Sequence, residues 1–249
     1  MFTRYWWNFN NKISNKGSFG HLSVICGEKQ GASLIAAEAG FAFGCGLITA
    51  INKKPIKKIK NSIMQNNKLP KNTSAICVGM GLGAKIKLKQ LDNTIPKVID
   101  ADLFYNTKIL KLLNQDNIVL TPHPKEFCSL LKLCDIDTID IQTLQNNRFY
   151  YIEQFSKKYP NITILLKGVN VLIAFNSKIY INTLGTSVLS KGGSGDVLTG
   201  LIGSLLAQGY TPVNAAINGS LAHTIAASNY KGNNYSLSPE ELISQIKKL

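Results

Sequence analysis

The chain has 249 residues, of which 45% are apolar and 17% charged, a balance typical of a globular protein with its own core. Lys and Arg number 28 against 14 Asp and Glu, so the formal net charge of +14 directs attention to an anionic partner: nucleic acid, a membrane surface or a phosphorylated metabolite. Only Arg4 and Arg148 are arginines, which argues against sequence-specific DNA readout because that readout depends on the guanidinium group. A Lys-rich overall composition accounts for the charge equally well.

The N-terminal residues lack the charged and then apolar pattern of a signal peptide. The most apolar stretch, residues 31–51, carries Glu38 and several glycines, so it is interpreted as a buried helix followed by a strand. The five cysteines are odd in number and show no paired CxxC spacing. The sequence therefore predicts a cytoplasmic protein with neither a disulfide framework nor a zinc site.

Short runs rich in Val, Ile and Leu alternate with longer amphipathic stretches after a polar start, residues 1–15, that is predicted to be loosely ordered. In chain order the predicted elements are a strand at 22–26, a helix at 32–44, strands at 47–51, 75–78 and 97–101, a helix at 106–114, a strand at 117–120, helices at 124–132 and 138–158, strands at 162–167, 170–175 and 178–182, and helices at 195–208, 212–229 and 239–247. The Lys- and Asn-rich residues 53–70 are interpreted as a charged connection. This rhythm predicts one α/β domain, residues 1–249, with a central, mostly parallel sheet and helices on both faces.

Residues 191–200, KGGSGDVLTG, form the strongest local signal, because a glycine-rich turn runs directly into an apolar stretch with helical period. Such a turn lets the backbone approach a ligand, and the first amides of the helix bind phosphate well. Asp196 is the unexpected member, since a carboxylate repels phosphate. It either caps the helix or acts as a base, and the motif alone leaves both open.

Several further residues follow predicted strands, at the sheet edge where open α/β proteins bind ligands. Lys167 ends one strand, although a lysine there is often simply solvated. His123 lies between two prolines, so its ring is expected to be held on a rigid turn. Two glycine-rich turns, residues 27–32 and 79–83, are predicted at the same edge.

The order of these motifs resembles that of the ADP- or ATP-dependent NAD(P)H-hydrate dehydratases of the ribokinase-like superfamily. The resemblance covers about residues 16–230 and rests on Lys16-Gly17 with the 27–32 turn, GMGLG at 79–83, VIDAD at 98–102, TPHPKE at 121–126, LLKG at 165–168 and KGGSGDVLTG. GGSGD alone indicates only the superfamily, whereas TPHPKE, DAD and the GxGLG turn together indicate the dehydratases.

The resemblance implies a repair reaction on NADH or NADPH hydrated at the nicotinamide C6. A nucleotide phosphorylates the new hydroxyl, and phosphate then leaves as the double bond re-forms. The co-substrate is ADP, giving AMP and phosphate, or ATP, giving ADP and phosphate, and the sequence does not choose between them or between NADH and NADPH. Mg²⁺ is expected to be held through the nucleotide phosphates and water. By themselves Asp100 and Asp102 indicate a possible divalent metal pair. The resemblance instead implies that Asp100 is a strand-end hydrogen-bond acceptor and leaves Asp102 only as a weak metal candidate. No metal site built from protein ligands is therefore predicted.

Site residues carry over position by position. Asp196 matches the catalytic base. The anion hole is Gly193, Ser194 and Gly195, with Lys191 beside it. The nucleotide-binding positions are Lys167, Gly168, Val169, Asn170, Val171 and Gly195. The positions that hold the hydrated dinucleotide are Ala32, Gly81, His123 and Asp196.

Relatives are commonly tetramers, so a homo-oligomer is expected. Many relatives also carry an epimerase domain that this sequence has no room for, so a separate epimerase is expected unless the chain is an excised piece of a longer one.

One alternative is a ribokinase-like kinase of a vitamin precursor, which would use the same base and anion hole. Another is a basic nucleic-acid-binding protein, but the Lys53–Lys60 run has no interleaved aromatic residue. Neither nucleic acid nor membrane is predicted as a partner.

Overall fold

The computed structural model describes residues 15–83, 88–91, 94–233 and 235–249. Nine strands form one sheet: β1 (His21–Ile25), β2 (Leu47–Ile51), β3 (Met64–Asn66), β4 (Ala75–Val78), β5 (Lys97–Ile99), β6 (Ile118–Leu120), β7 (Ile162–Leu166), β8 (Val171–Phe175) and β9 (Lys178–Asn182). Their order is β3-β2-β1-β4-β5-β6-β7-β8-β9. Strands β1 to β7 pair in parallel, and β8 and β9 are antiparallel additions. The predicted loose start, residues 1–15, lies outside the described residues except for Asn15.

Helices cover both faces of the sheet. They are α1 (Gln30–Ala42), α2 (Ile109–Leu112), α3 (Pro124–Leu133), α4 (Ile141–Asn146), α5 (Arg148–Lys158), α6 (Ser194–Ala207), α7 (Pro212–Ser228) and α8 (Pro239–Ile246). One apolar core joins the sheet to α1, α6 and α7, and a second joins it to α2–α5. A third, smaller cluster packs α8 against α1, α6 and α7. Because both faces of the parallel strands other than β3 are buried, these strands are mostly apolar, which is the pattern that predicted them. None of the described helices has the length and apolar content that a bilayer span requires.

The prediction for residues 53–70 is wrong, because they include β3. This strand has three residues, all exposed, and it pairs with β2 at the edge of the sheet. Asn52 N–H donates to the Asn66 carbonyl over 2.9 Å, so main-chain bonding holds the strand without burial of its side chains. A short polar edge strand carries no alternating apolar pattern and also discourages pairing with another chain.

Two predicted helices are shorter than expected. The helix predicted at 138–158 is divided at Asn147, whose φ of −130° and ψ of 32° end α4 and precede α5. The helix predicted at 106–114 keeps only α2, residues 109–112. Strand β5 ends at Ile99, since Ala101 has a φ of +49° and begins a short 3₁₀ helix. Asp100 therefore lies just beyond the end of β5, at the carboxyl edge of the parallel strands.

Candidate active site

The carboxyl ends of β5, β6 and β7 meet the start of α6 at one edge of the sheet. Asp100 follows β5, His123 follows β6 and Lys167 follows β7. The Lys167 N–H donates to the Pro122 carbonyl over 2.9 Å, so the ends of β6 and β7 stay in register beyond the last ladder bonds. The parallel sheet therefore brings together side chains that are far apart in the sequence.

A buried carboxylate links β7 to α6. Lys167 Nζ lies 2.8 Å from Asp100 Oδ1, and the Thr199 hydroxyl donates to Asp100 Oδ2 over 2.8 Å. The Asp100 side chain is only 3% exposed, so this pairing offsets the cost of removing its charge from water. Lys167 is 21% exposed, so it is not a freely solvated strand-end lysine. Asp100 acts as the strand-end acceptor predicted from the resemblance.

Asp102, the other half of the possible metal pair, accepts a hydrogen bond from the Gly83 N–H over 2.9 Å. It therefore holds the turn after β4. The part of the chain that the structure describes contains no group of three His, Cys, Asp or Glu residues placed to share a metal ion.

The start of α6 leaves main-chain amides available. Its N-cap is Gly193, with a φ of +89°, and no side chain caps the helix. The first intrahelical bond runs from the Val197 N–H to the Gly193 carbonyl, so the Gly195 and Asp196 N–H groups precede the helical ladder. A Cβ at Gly193 would lie 2.5 Å from Pro239 Cγ, so this turn requires glycine for space as well as for conformation. The predicted anion hole of Gly193, Ser194 and Gly195 is therefore corrected in one respect: the Ser194 N–H donates to the Lys191 carbonyl over 3.2 Å, so the amides placed to meet an anion are those of Gly195 and Asp196.

Lysine and carboxylate flank these amides. A Cβ added to Gly195 would lie 3.2 Å from Lys167 Nζ, so the absent side chain leaves the ammonium close to the helix start. Asp196 lies in the first turn and makes no capping bond, which favours the alternative that it acts as a base. Burial, and next the negative charge of Asp100, raise the pKa of Asp196 to about 6, while Lys167 opposes them. A carboxylate with a pKa near neutrality is suited to accept a proton.

His123 is held rigidly, as predicted, but chiefly by a capping box. Its Nδ1 accepts from the Lys125 N–H over 3.1 Å, and its Nε2 lies 3.2 Å from Glu126 Oε1. Glu126 Oε2 accepts from the His123 N–H over 2.8 Å. Because Nδ1 accepts the bond from the Lys125 N–H, the ring proton is assigned to Nε2, and burial, and next the charge of Lys167, lower the pKa of His123. Both ring nitrogens are therefore engaged within the turn.

The other predicted dinucleotide positions lie beside the glycine turns. The Gly81 carbonyl accepts from the Lys29 N–H over 3.0 Å, which joins the turn after β4 to the first turn of α1, where Ala32 lies. A cavity of about 520 Å³ adjoins this junction, with Gly27, Gln30 and Leu82 in its wall. The cavity wall does not include Asp196 or Lys167, so the cavity is separate from the charged cluster.

The sequence interpretation missed three supporting residues. Thr199 secures Asp100, Glu126 orients His123, and His223 contacts the helix start from α7. Glu126 had a local signal, because an acidic residue three positions after an N-cap is the spacing of a capping box. Thr199 and His223 had none, since their partners are 99 and 29 residues away.

His223 predicts a pH-dependent stability. It is buried, its Nε2–H donates to the Ser194 carbonyl over 3.0 Å, and burial lowers its pKa from 6.5 to about 4. Only the unfolded chain takes up this proton between those values, so the folded state loses about 3 kcal/mol as the pH falls from 6.5 to 4. His223→Gln, which keeps a donor, should lose less stability between about pH 7 and 4.5 than the native chain in urea denaturation. Equal losses in the two proteins would contradict the expectation.

The nine-stranded arrangement is the ribokinase-like α/β fold, as predicted. A family model described as NAD(P)H-hydrate dehydratase matches residues 22–248. The chain belongs to the NAD(P)H-hydrate dehydratase family, which confirms the resemblance.

Curated relatives agree with this assignment, and a solved structure shares the fold. A bifunctional NAD(P)H-hydrate repair enzyme of Helicobacter pylori is 42% identical over 250 residues, covering 96% of this chain and 52% of that protein. An ADP-dependent (S)-NAD(P)H-hydrate dehydratase of Neisseria meningitidis is 31% identical, covering 86% of this chain and 78% of that one. The Bacillus subtilis ADP/ATP-dependent NAD(P)H-hydrate dehydratase, co-crystallised with ATP and Mg²⁺, superposes with a TM-score of 0.77 at 23% identity over 95% and 91% of the two chains. The chain spans about half the length of the Helicobacter relative.

Proposed function

We propose that the protein repairs hydrated NADH and NADPH by nucleotide-dependent dehydration. The observation that carries this proposal is the Asp196 carboxylate in the first turn of an uncapped helix, beside Lys167. A phosphate-binding helix start alone would serve many ligands. A base with a raised pKa at the same point supports transfer of a phosphoryl group to a hydroxyl.

In this mechanism Asp196 accepts the proton of the C6 hydroxyl while that oxygen bonds to the terminal phosphorus of ADP or ATP. The bridging P–O bond breaks, and AMP or ADP leaves with its electron pair. The Gly195 and Asp196 amides and the Lys167 ammonium stabilise the charge on the transferring group. The C6–O bond then breaks and phosphate departs. Loss of the C5 proton restores the C5–C6 double bond.

Magnesium fits this proposal as an ion carried by the nucleotide. Asp100 and Glu126 have both carboxylate oxygens in hydrogen bonds or ion pairs, so the described residues offer no dedicated carboxylate cage. Mg²⁺ is commonly bound by one or two carboxylates together with substrate phosphates and water. When bound it would neutralise phosphate charge, and Asp196, in the first turn of α6, would be a carboxylate beside it.

The proposal extends to the assembly and its surroundings through the resemblance. We infer one domain over residues 1–249, a homotetramer, and a cytoplasmic location. A separate epimerase, or a further part of a longer chain, would convert the substrate epimer that this site does not accept. Light scattering of the purified protein tests the tetramer by its molar mass.

The direct test is recovery of NADH absorbance from chemically hydrated NADH, with ADP and ATP supplied in parallel and Mg²⁺ present. Hydrated NADPH is assayed in the same way. Recovery that requires a nucleotide is the expected result, and the faster donor identifies the co-substrate. Failure with both nucleotides, together with phosphorylation of a hydroxylated vitamin precursor, would assign the site to a kinase.

The proposed base predicts the pH dependence of turnover. Asp196 must be ionised to accept a proton, so kcat should fall as the pH drops through about 6. Glu126 also titrates nearby, because burial raises its pKa to about 7. A kcat profile between about pH 5 and 8, measured for native protein and Glu126→Gln, separates the two groups. The limb near 6 should persist in Glu126→Gln, and its disappearance would transfer the role to Glu126.

A further inference from the structure

Arg148, the first residue of α5, lies under the turn that joins β7 to β8. Its Nη2 is 3.3 Å from both the Leu166 and Lys167 carbonyl oxygens and donates to them. A Cβ added to Gly168 would lie only 2.6 Å from this Nη2 and 2.9 Å from Cζ. The guanidinium therefore occupies the space that any side chain at position 168 would need.

The charge of Arg148 has no acidic partner among the ion pairs of the described residues. The residue is partly buried, and its Nε is a buried donor without a hydrogen-bond partner. A cation withdrawn from water with no counter-charge costs stability, so its position is difficult to explain by stability alone. Its bonds are to the main chain of the predicted nucleotide-binding segment.

Composition gives a second, independent observation. Lysine provides 26 of the 28 basic residues, and Arg148 is the only arginine within the described residues. In a chain that uses lysine almost everywhere, the basic residue that packs against Gly168 is Arg148, whose guanidinium is planar. Lysine has a compact ammonium on a flexible side chain, so it does not provide the planar packing surface of a guanidinium.

We propose that Arg148 is a positioning residue for the nucleotide. Its guanidinium fixes the carbonyls at the end of β7 and packs against the main chain of the turn at Gly168. The direction of the Lys167 side chain toward Asp100 and the α6 amides depends on that fixed main chain. This inference rests on the proposed function, because it assigns Arg148 to the nucleotide part of that site.

The test measures ADP affinity by calorimetry, which needs no turnover, and then KM values for nucleotide and hydrated dinucleotide. Arg148→Met should weaken ADP binding by about tenfold or more, and Arg148→Lys by a smaller factor. The KM for the hydrated dinucleotide should stay within about twofold of the native value, because the contact is confined to the β7–β8 turn.

Lys158→Met is the matched control. Lys158 lies at the other end of α5, about 15 Å along the helix axis. It also donates to main-chain carbonyls, those of Cys134 and Asp135. Its replacement should leave ADP affinity unchanged, which separates the β7–β8 turn from a general loss of contacts by α5.

Gly168→Ala provides the coupled variant, since the added methyl group would displace the guanidinium. If the contact between Arg148 and Gly168 carries the effect, the double variant Gly168→Ala with Arg148→Met should bind ADP no more weakly than the single variant that has the lower ADP affinity. Additive losses, or native ADP affinity in a folded Arg148→Met, would overturn the proposal. If Arg148→Met fails to fold, Arg148→Lys and Gly168→Ala carry the same comparison. ADP binding without dehydration in the native protein would instead count against the proposed function.

Discussion

Replacing Asp196 by Asn is expected to lower kcat by between about a hundredfold and ten-thousandfold, the range that a general base contributes. Asparagine keeps the size of the side chain but cannot accept the hydroxyl proton. The amides of the α6 start and Lys167 are unchanged, so ADP affinity should remain close to native. Turnover of hydrated NADH and calorimetric ADP binding measure the two properties separately.

The same variant should melt no lower than the native protein. Burial raises the pKa of Asp196 to about 6, so its ionised form is disfavoured in the folded state and neutral asparagine removes that penalty. Asp116→Asn is the matched control, because Asp116 is exposed and far from α6 in the sequence. It should leave turnover unchanged. Near-native turnover in Asp196→Asn would remove Asp196 from the proposed role.

The parts of the site that could be predicted from sequence are those with a local signal. Gly193 and Asp196 belong to one glycine-rich helix start, and Lys167 ends an apolar strand. Because parallel strands end at a common edge, the positions of these residues followed once the strands were recognised. The choice between cap and base for Asp196 needed the structure, since it depends on a hydrogen bond that is absent.

The remaining contacts join residues that are distant in the chain. The Lys167–Asp100 pair spans 67 residues and the Thr199–Asp100 bond spans 99. The residues alone indicated Asp100 as a possible metal ligand, because nothing nearby in the sequence shows what neutralises it, and only the resemblance favoured a hydrogen-bond acceptor. The sequence marked Arg148 only as a rare residue type. Its contact with Gly168 depends on how α5 packs on the sheet.

The fold was predictable where burial imposes a pattern. The parallel strands from β1 to β7 other than β3 are mostly apolar because helices cover both faces, whereas β3 lies exposed at the edge of the sheet and so has no such pattern. The division between α4 and α5 at Asn147 was also invisible, because the apolar period continues across it. Both misses lie where backbone geometry, rather than side-chain burial, decides the structure.

Removing the Lys167 ammonium is the second change with a large expected effect. Lys167→Met would leave the buried Asp100 carboxylate with only its bond from Thr199. Breaking a buried pair in this way should lower the free energy of unfolding by about 3 kcal/mol. Turnover should also be lost, because the ammonium beside Gly195 no longer stabilises the transferring phosphoryl group. Urea denaturation and the absorbance assay measure the two effects.

A double variant separates these two roles of Lys167. Adding Asp100→Asn to Lys167→Met removes the unpaired buried charge, so stability should return most of the way to native while turnover stays low. Lys157→Met serves as the control, because it breaks the exposed pair with Glu153 at 2.9 Å and should cost less than about 1 kcal/mol. If the double variant regained turnover, Lys167 would act only by neutralising Asp100. If Lys167→Met alone kept native stability, the pair would not be what holds the end of β7 to α6.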